Sequence, residues 1–548
     1  MRIAIAQLNP VVGDLTGNRK LVEEAADKAA SERADVVVLP EMVLTGYPPM
    51  DLLERDGFVR DQLRELDTLC PASHGVAIAL GAIIPQEGEG RVRLHNAAVL
   101  LADGIQRAVR IKSLLPSYDV FDERRYFTPA TSRETVTLRD GGPEIGLTIC
   151  EDAWVETMGY AINPIEELAA AGAHAILNLS SSPWHVTKAA ERREMVAALA
   201  RDHHVPICFV NQVGGNDELI FDGGSFVSDQ RGRIIAKFPL FESHFGIVEV
   251  RDDAEPDTVQ VDDPGAIEQL EAGLVLGIRD YFRKQNLTPG AVIGVSGGID
   301  SAVTAHLAAL ALGPDRVVGI AMPGPYSSDH SIADAEALAM TLGIEVRRVD
   351  VTPIFAAYLS AFGTVLGERD DYGIAQQNIQ SRIRGAMLMA VSNAEGRLVL
   401  ATGNKSELSV GYCTLYGDTV GGLAVLGDVY KRDVYALADY ANRDGVRIPI
   451  NTIEKPPSAE LAPNQLDSDD LPTYDVLDAI LAGAIEGGLG AKSIPVPAGS
   501  SAEVVRNIAA RLDRNEYKRR QSPLVLRTSP KAFGSGRRLP IVQRYRPD

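Results

Sequence analysis

Cysteine is nearly missing from this 548-residue chain: Cys70, Cys150, Cys208 and Cys413 are the whole complement, far apart and with no Cys-x-x-Cys among them. That spacing excludes a disulfide framework and a zinc site of paired thiolates, so a cysteine with a special role must act alone. Positive charge is also in deficit. The net charge of −20 opposes general binding to nucleic acid or anionic membranes. Met1 to Gln7 runs straight into an apolar strand with no charged leader and no long hydrophobic segment behind it, so neither a signal peptide nor a membrane span is expected, and the cytoplasm is the expected location. His185, His203 and His204 lack an accompanying ligand pattern and read as ordinary surface or core residues. No Gly-x-x-x-x-Gly-Lys-Ser/Thr occurs, which disfavours nucleotide hydrolysis by the Walker route.

What is present is an ordinary globular composition, 45% hydrophobic and 23% charged, which excludes wholesale disorder. The length suggests about two to four domains, at roughly 150 residues each. In the first half short apolar runs alternate with amphipathic stretches: Ile3 to Leu8, Val36 to Leu39, Val76 to Ile84, Ala97 to Leu101, Ile145 to Ile149, Ala175 to Leu179 and Ile207 to Val210 predict strands, while Asn18 to Arg33 and Pro164 to Ala171 predict helices. This is an α/β layered pattern. Three runs end in a reactive side chain. Val36 to Leu39 stops at Pro40-Glu41, the 104–111 run at Lys112, and Ile145 to Ile149 at Cys150. Ligands in layered α/β folds gather beyond the carboxyl ends of strands, so these groups can share a crevice.

Their chemistry is mutually consistent. A thiol attacks as thiolate, a carboxylate can take its proton, and an ammonium stabilises both thiolate and oxyanion, which together make a covalent acyl-transfer site. Taken singly, Glu41 reads as a helix-start acid, Lys112 as a solvated strand end and Cys150 as a small core residue. Pro40-Glu41-Met42-Val43-Leu44-Thr45-Gly46-Tyr47, Lys112-Ser113-Leu114-Leu115-Pro116-Ser117-Tyr118 and Cys150-Glu151-Asp152-Ala153-Trp154 resemble, in order, the three catalytic segments of the nitrilase superfamily, over about residues 1–250. The resemblance implies an α-β-β-α sandwich that hydrolyses a non-peptide C–N bond, with Glu41 as general base, Lys112 as electrostatic stabiliser, Cys150 as nucleophile and Glu123 as auxiliary acid. It also implies that Tyr118, Ser182 and Lys188 bind the amide substrate. Ser117 departs from the asparagine that relatives often carry there.

Arg251 to Pro264 is acidic and proline-punctuated and reads as a linker, with Ile267 to Phe282 opening a second domain; the expected division is 1–250, a linker over 251–266, and 267–548. In that second half Ala291 to Val295 reads as a buried strand leading through Gly294-Val295-Ser296-Gly297-Gly298-Ile299-Asp300-Ser301 into a helix over Ala302 to Leu312. A strand, a glycine turn and a helix start let backbone N–H groups approach a phosphate, although a bare two-glycine match is more often a plain turn. Strands over Val317 to Ala321, Glu345 to Val349 and Leu398 to Ala401, with helices over Ser331 to Leu342 and Gln376 to Ala390, complete a doubly wound parallel pattern. Asp300 and Glu407 both fall at strand carboxyl ends, and two hard oxygen ligands beside phosphate suit magnesium. Alone, Glu407 reads as an acid complementing a helix dipole.

The full Ser-Gly-Gly-x-Asp-Ser string resembles the PP-loop of enzymes that split ATP between its α and β phosphates. Gln377-Asn378-Ile379-Gln380-Ser381-Arg382, Thr402-Gly403-Asn404-Lys405-Ser406-Glu407, Tyr416-Gly417-Asp418 and Glu516-Tyr517-Lys518-Arg519-Arg520-Gln521-Ser522-Pro523 resemble the NAD synthetase family across roughly 270–545. This implies a Rossmann-like sheet of the adenine nucleotide alpha hydrolase type, with ATP held by residues 294–301 and Thr402, Mg2+ by Asp300 and Glu407, and deamido-NAD by Asn378, Glu407, Asp418 and Lys518. Leu415 stands where many ammonia-using relatives have lysine. With a nitrilase-like half attached, the pattern is similar to the glutamine-dependent members, whose partners would be the small molecules deamido-NAD, ATP, L-glutamine and ammonia. A homo-oligomer is expected, with no nucleic-acid or membrane partner.

Three other readings stay open on the residues. Another PP-loop amidotransferase would use a different glutaminase domain, and a lone amidase with a nucleotide-sensing module would need Asp300 and Glu407 to be dispensable. A tRNA-thiolating enzyme would want cysteines near the nucleotide and a basic surface. Lys518, Arg519, Arg520, Arg527, Lys531, Arg537 and Arg538 crowd the tail, either as a solvated face or as a lid over polyphosphate. Leu461 to Asp470, acidic and flanked by prolines, reads as an exposed loop.

Overall fold

The computed structural model describes residues 1–86, 93–251 and 259–545. Its contacts divide the chain into two compact units, Met1–Pro264 and Gly265–Asp548. Of the expected linker, residues 252–258 lie outside the described residues.

The first unit is built on two six-stranded sheets. One takes Arg2–Gln7, Val36–Val38, Ala77–Pro85, Leu94–Ala102 and Ile105–Ile111 side by side, with His244–Glu249 antiparallel against the first strand. The other orders Ile234–Lys237, Phe226–Ser228, Ile207–Asn211, Ala175–Ser180, Glu144–Ile149 and Val136–Thr137. Strand alternation sorts the side chains. Ile3, Ile5, Val36, Val38, Ala98 and Leu100 of one sheet pack against Ile145, Leu147, Leu177, Leu179, Cys208 and Val210 of the other. On the outer face of the first sheet, Ala4, Val37 and Leu39 meet Val22, Ala25, Ala26 and Ala29 of the helix Leu15–Ser31. Ile176, Ile207 and Phe209 likewise meet Val196, Leu199 and Ala200 of the helix Lys188–Asp202. The layering is α-β-β-α, and every predicted strand of the first half is present.

The strands after Val210 were not expected. Val213–Asn216 and Leu219–Asp222 form a hairpin whose first arm is Val-Gly-Gly-Asn. Gly214, at φ +124°, has an ideal Cβ position 2.1 Å from the side chain of Asn9. The glycines that permit that approach also erase the alternation by which a strand is recognised.

The second unit carries one wholly parallel six-stranded sheet. Numbered in chain order, Ala291–Gly294, Val317–Ala321, Glu345–Arg348, Leu398–Ala401, Leu423–Ala424 and Leu524–Val525 lie in the order third, second, first, fourth, fifth, sixth. This is the doubly wound order, and the direction in which strands are added reverses between the first and fourth strands, where such folds bind ligands. The last two strands, two residues each, are too short for periodicity to reveal. A helical layer follows the sheet, with Leu477, Ile480, Leu481 and Ile485 packed on Val505, Ile508 and Leu512.

Candidate functional site

In the first unit, Glu41 follows the strand Val36–Val38, Lys112 follows Ile105–Ile111 and Cys150 follows Glu144–Ile149. All three are buried. The Lys112 ammonium donates to Glu41 Oε1 at 2.7 Å and to Glu123 Oε1 at 2.8 Å. Asn96 Nδ2 donates to Glu41 Oε1 at 2.6 Å, the Ser181 N–H to Glu41 Oε2 at 3.1 Å, and the Tyr47 hydroxyl to Glu123 at 3.1 Å. Glu41 is pressed against the sheet at Gly81, where an ideal Cβ would lie 2.1 Å from the Met42 nitrogen and 2.6 Å from the Glu41 Cα. Cys150 itself has φ +39°, a left-handed conformation that β-carbon-bearing residues adopt seldom and at a cost. The turn that holds it is tied to the lysine loop by Asp152, whose carboxylate accepts from the N–H groups of Ser113 (2.9 Å), Leu114 (2.8 Å) and Ile149 (3.0 Å).

The electrostatics follow from this packing. Burial works against the Lys112 charge, yet Glu123 and Glu41 outweigh it and hold the ammonium well above the usual lysine range. Burial pushes Glu123 up to about 7, with Lys112 opposing and the Glu41 charge adding to the rise. Burial and Glu41 push the Cys150 thiol up, while Lys112 draws it down. The Cys150 sulfur is therefore held as a thiol, in the field of a carboxylate able to take a proton and an ammonium able to stabilise an anion, a set of groups that can support nucleophilic chemistry.

Around this centre, the Tyr118 hydroxyl donates to both oxygens of Glu151 at 3.0 Å. The Ser182 N–H donates to Asn211 at 2.9 Å, and the Lys188 ammonium lies 3.7 Å from the ring centroid of Trp154.

In the second unit, a cavity of about 620 Å³ opens where the sheet order reverses. It is lined by Gly294, Val295, Ser296, Gly298, Ile299, Asp300 and Ser301, by Thr402 and Glu407, and by Asn378, Asp418 and Lys518. The loop is braced from within: the Ser301 hydroxyl donates to Gly298 O at 2.9 Å, and the Gly298 N–H to Ser296 Oγ at 3.2 Å. Asn404 donates to Asp300 Oδ1 at 2.8 Å and forms a reciprocal cap with Glu407 at the start of the helix Lys405–Val410. The buried Lys431 ammonium reaches Asp300 Oδ2 at 2.5 Å and Glu407 Oε1 at 3.4 Å. Burial and the neighbouring Asp300 push Glu407 up to about 8, with Lys431 pulling the other way. Asp418 accepts from Ser381 Oγ at 2.8 Å, Asn378 Oδ1 from the Thr414 hydroxyl at 2.9 Å, and Lys518 donates to the carbonyls of Gly411 and Cys413 at 2.7 Å each.

With both sites laid out, relatives are informative. The carbon-nitrogen hydrolase family model matches residues 2–256 and the NAD synthase model residues 270–522. A glutamine-dependent NAD(+) synthetase of Synechocystis sp. is 43% identical over 100% of this chain and 99% of its own length. The chain belongs to the glutamine-dependent NAD(+) synthetase family. A family member from Thermotoga maritima is 40% identical over 100% of this chain and 99% of its own. The solved glutamine-dependent NAD+ synthetase of Acinetobacter baumannii, in complex with ADP, is 37% identical, covers 99% of this chain and 98% of its own, and superposes with a TM-score of 0.78. That of Cytophaga hutchinsonii, 21% identical with a TM-score of 0.81 over 99% of this chain and 98% of its own, shares the fold.

Several features of this family member differ from the sequence-based expectations. Gly297, at φ +77°, does not line the cavity. Its ideal Cβ position is 2.4 Å from Ser331 O, so its missing side chain admits the backbone of the helix Asp329–Leu342. The basic tail is neither a solvated face nor a lid throughout. Arg519 is buried and donates to the carbonyls of Leu408, Ser409 and Leu512, while Arg527 donates to those of Ser529 and Pro530. Leu461, Gln465, Leu466, Asp467, Asp469 and Asp470 form part of the cavity wall, so the acidic loop belongs to the site. Among the described residues no group of three or more His, Cys, Asp or Glu side chains is placed to hold a metal. Sequence reasoning missed Asn96, Tyr47, Asp152 and Lys431. Asp152 had a signal in its place two residues after Cys150, whereas Lys431 had none, standing at the start of a helix with no motif around it.

Proposed function

We propose that the chain makes NAD by ATP-dependent amidation of deamido-NAD, with nitrogen released from L-glutamine. The observation that carries the reading is full-length similarity to glutamine-dependent NAD(+) synthetases in a chain whose two units each hold a matching constellation.

In the first unit Glu41 takes the thiol proton and Cys150 Sγ attacks the side-chain carboxamide carbon of glutamine. The oxyanion that forms is stabilised by Lys112. Collapse breaks the C–N bond, the proton on Glu41 goes to the departing nitrogen, and ammonia leaves a thioester. Water, deprotonated by Glu41, then releases glutamate and the thiol. Glu123, pushed up to about 7, keeps its proton more readily than an ordinary carboxyl and steadies Lys112. Tyr118, Ser182 and Lys188 are read as the glutamine-binding groups.

In the second unit a carboxylate oxygen of deamido-NAD attacks the α-phosphorus of ATP, pyrophosphate leaves, and ammonia displaces AMP from the acyl-adenylate to give the amide. Residues 294–296, 298–301 and Thr402 are assigned to ATP, and Asn378, Glu407, Asp418 and Lys518 to the dinucleotide, with Gly297 left a packing role. Asp300 and Glu407 fit Mg2+. Both are hard oxygen donors, and their mutual repulsion, visible in the raised Glu407, is what a second positive charge would relieve. The ion would supply charge neutralisation on the polyphosphate.

No described helix is long and apolar enough to cross a membrane, and we place the protein in the cytoplasm. The helix Thr352–Leu366 carries no charged side chain yet exposes Tyr358, Val365 and Leu366, which favours a homo-oligomer. Incubating the protein with ATP, Mg2+, L-glutamine and deamido-NAD should yield NAD, AMP, pyrophosphate and glutamate. Glutamate formation without AMP release would reduce the reading to a simple amidase.

A further inference from the structure

Asn96 sits inside the strand Leu94–Ala102 and is fully buried. Its carbonyl accepts from the Lys112 N–H at 2.9 Å, and its side-chain nitrogen donates to Glu41 Oε1 at 2.6 Å and to Glu123 Oε2 at 3.4 Å. One residue therefore grips three of the segments that meet at the first site. Its amide has a single favourable orientation. Turned the other way it would aim its oxygen at two carboxylates, and as it stands Asn96 Oδ1 is left buried with no hydrogen-bond partner among the described residues. A buried acceptor without a partner is costly, so an apolar side chain would fill this place in the strand better if filling were the whole of its role.

The donors decide where a proton can sit. Lys112 also donates to Glu41 Oε1 at 2.7 Å, which with Asn96 takes both acceptor positions of that oxygen. Glu123 Oε1 is filled in the same way by Lys112 at 2.8 Å and the Tyr47 hydroxyl at 3.1 Å. Among the described residues, Glu41 Oε2 accepts from the Ser181 N–H alone, at 3.1 Å, and so keeps a position open. Lys112 stands at nearly the same distance from both glutamates, so its charge does not choose between them. Two carboxyl groups in one site tend to hold a proton between them, because like charges disfavour double ionisation. A shared proton would disarm the base. Resting on the reading of Glu41 as general base in the cleavage of L-glutamine, we infer that Asn96 is a positioning residue that keeps Glu41 and Glu123 from sharing a proton, by setting neutral N–H donors between them, and so directs the thiol proton to Glu41 Oε2. The other groups facing this pair are Lys112, Tyr47 and the Cys150 sulfur, while Glu151 and Asp152, on the same turn as Cys150, act on the sulfur and on Lys112.

The test follows ammonia release from L-glutamine against pH in the full-length wild type, Asn96→Leu and Asn96→Asp, with thermal melting as the check on folding. Asn96→Leu removes both donors at nearly the same volume. Its kcat/KM should fall about tenfold at neutral pH and return as the pH rises, with the acid limb of the profile about one unit higher than in the wild type. Asn96→Asp keeps the shape of the side chain but sets a third carboxyl between the other two, so its acid limb should stand higher still. It carries the comparison if Asn96→Leu does not fold. A side chain that only packs would, when changed, lower turnover alike at every pH. An acid limb that stays in place in the folded variants, whether or not turnover falls, overturns the inference. A wild type that releases no ammonia from L-glutamine overturns instead the amidase reading beneath it.

Discussion

The buried Lys431 and the partly buried Asp300 form an ion pair, Nζ to Oδ2 2.5 Å, at the point where the parallel sheet of the second unit reverses its order. The two are 131 positions apart in the chain. Burial works against the Lys431 charge, but Asp300 and Glu407 outweigh it and raise the ammonium above its ordinary range. The lysine is therefore a permanent cation at the wall of the cavity.

Asp300→Ala and Lys431→Met should each stop AMP and pyrophosphate release whether glutamine or ammonium supplies the nitrogen. Removing either charge unbalances this cluster, since Lys431 would keep only Glu407 at 3.4 Å and Asp300 only its hydrogen bond from Asn404, so a lowered melting temperature should accompany the loss. Pyrophosphate release at the wild-type rate from Asp300→Ala would remove that residue from the nucleotide chemistry.

Cys150→Ala should abolish NAD formation from glutamine and leave ammonium-supported formation intact, as read by NAD yield with each nitrogen source. Equal loss with both sources would mean that the division of labour between the units is wrong.

Gly81→Ala should act like a lesion at Glu41 without touching it. The added methyl would lie 2.1 Å from the Met42 nitrogen, and a clash with backbone has no cheap relief, so a destabilisation of about 1–3 kcal/mol is expected. Glutamine-supported turnover should drop at least as far as the melting temperature predicts, while ammonium-supported turnover should persist. Wild-type glutaminase activity in this variant would show that the strand and the Glu41 backbone are not rigidly apposed.

Glu407 supplies a pH signature. Its folded-state pKa is raised to about 8, first by burial and then by Asp300, above the ordinary carboxylate value near 4.3. Between those values the folded state binds more protons than the unfolded one, so stability associated with this group is present at low pH and declines as pH rises toward 8. Glu407→Gln should remove that component. The stability of the variant relative to wild type should climb steadily from about pH 5 to pH 8, by up to roughly 1 kcal/mol per pH unit, read from denaturant unfolding. A difference that stays flat across this window would contradict the assigned burial.

Much of the first site was legible because its principal residues lie at or just beyond strand ends: Glu41 and Cys150 follow strongly apolar runs, and Lys112 closes the mixed run Ile105–Ile111. Asn96 lies in the strand Leu94–Ala102 one position before the apolar run Ala97 to Leu101, and nothing local marks it as the donor that meets Glu41. The glycine turn at 294–301 announced itself in the same way, yet the reason for Gly297 did not, because its close neighbour, the Ser331 carbonyl, is brought in by the fold.

What the sequence determined alone was the longer apolar strands, the reactive ends they carry and the acidic, cysteine-poor character of the chain, since these depend on side-chain period and composition over a few residues. What the tertiary structure decided was which charges face one another. The pairing of Lys431 with Asp300, that of Lys112 with Glu41 and the pinning of the Leu408 and Ser409 carbonyls by Arg519 all join positions far apart in the chain. Electrostatic energy depends on distance and burial, and neither quantity exists until the strands are laid side by side.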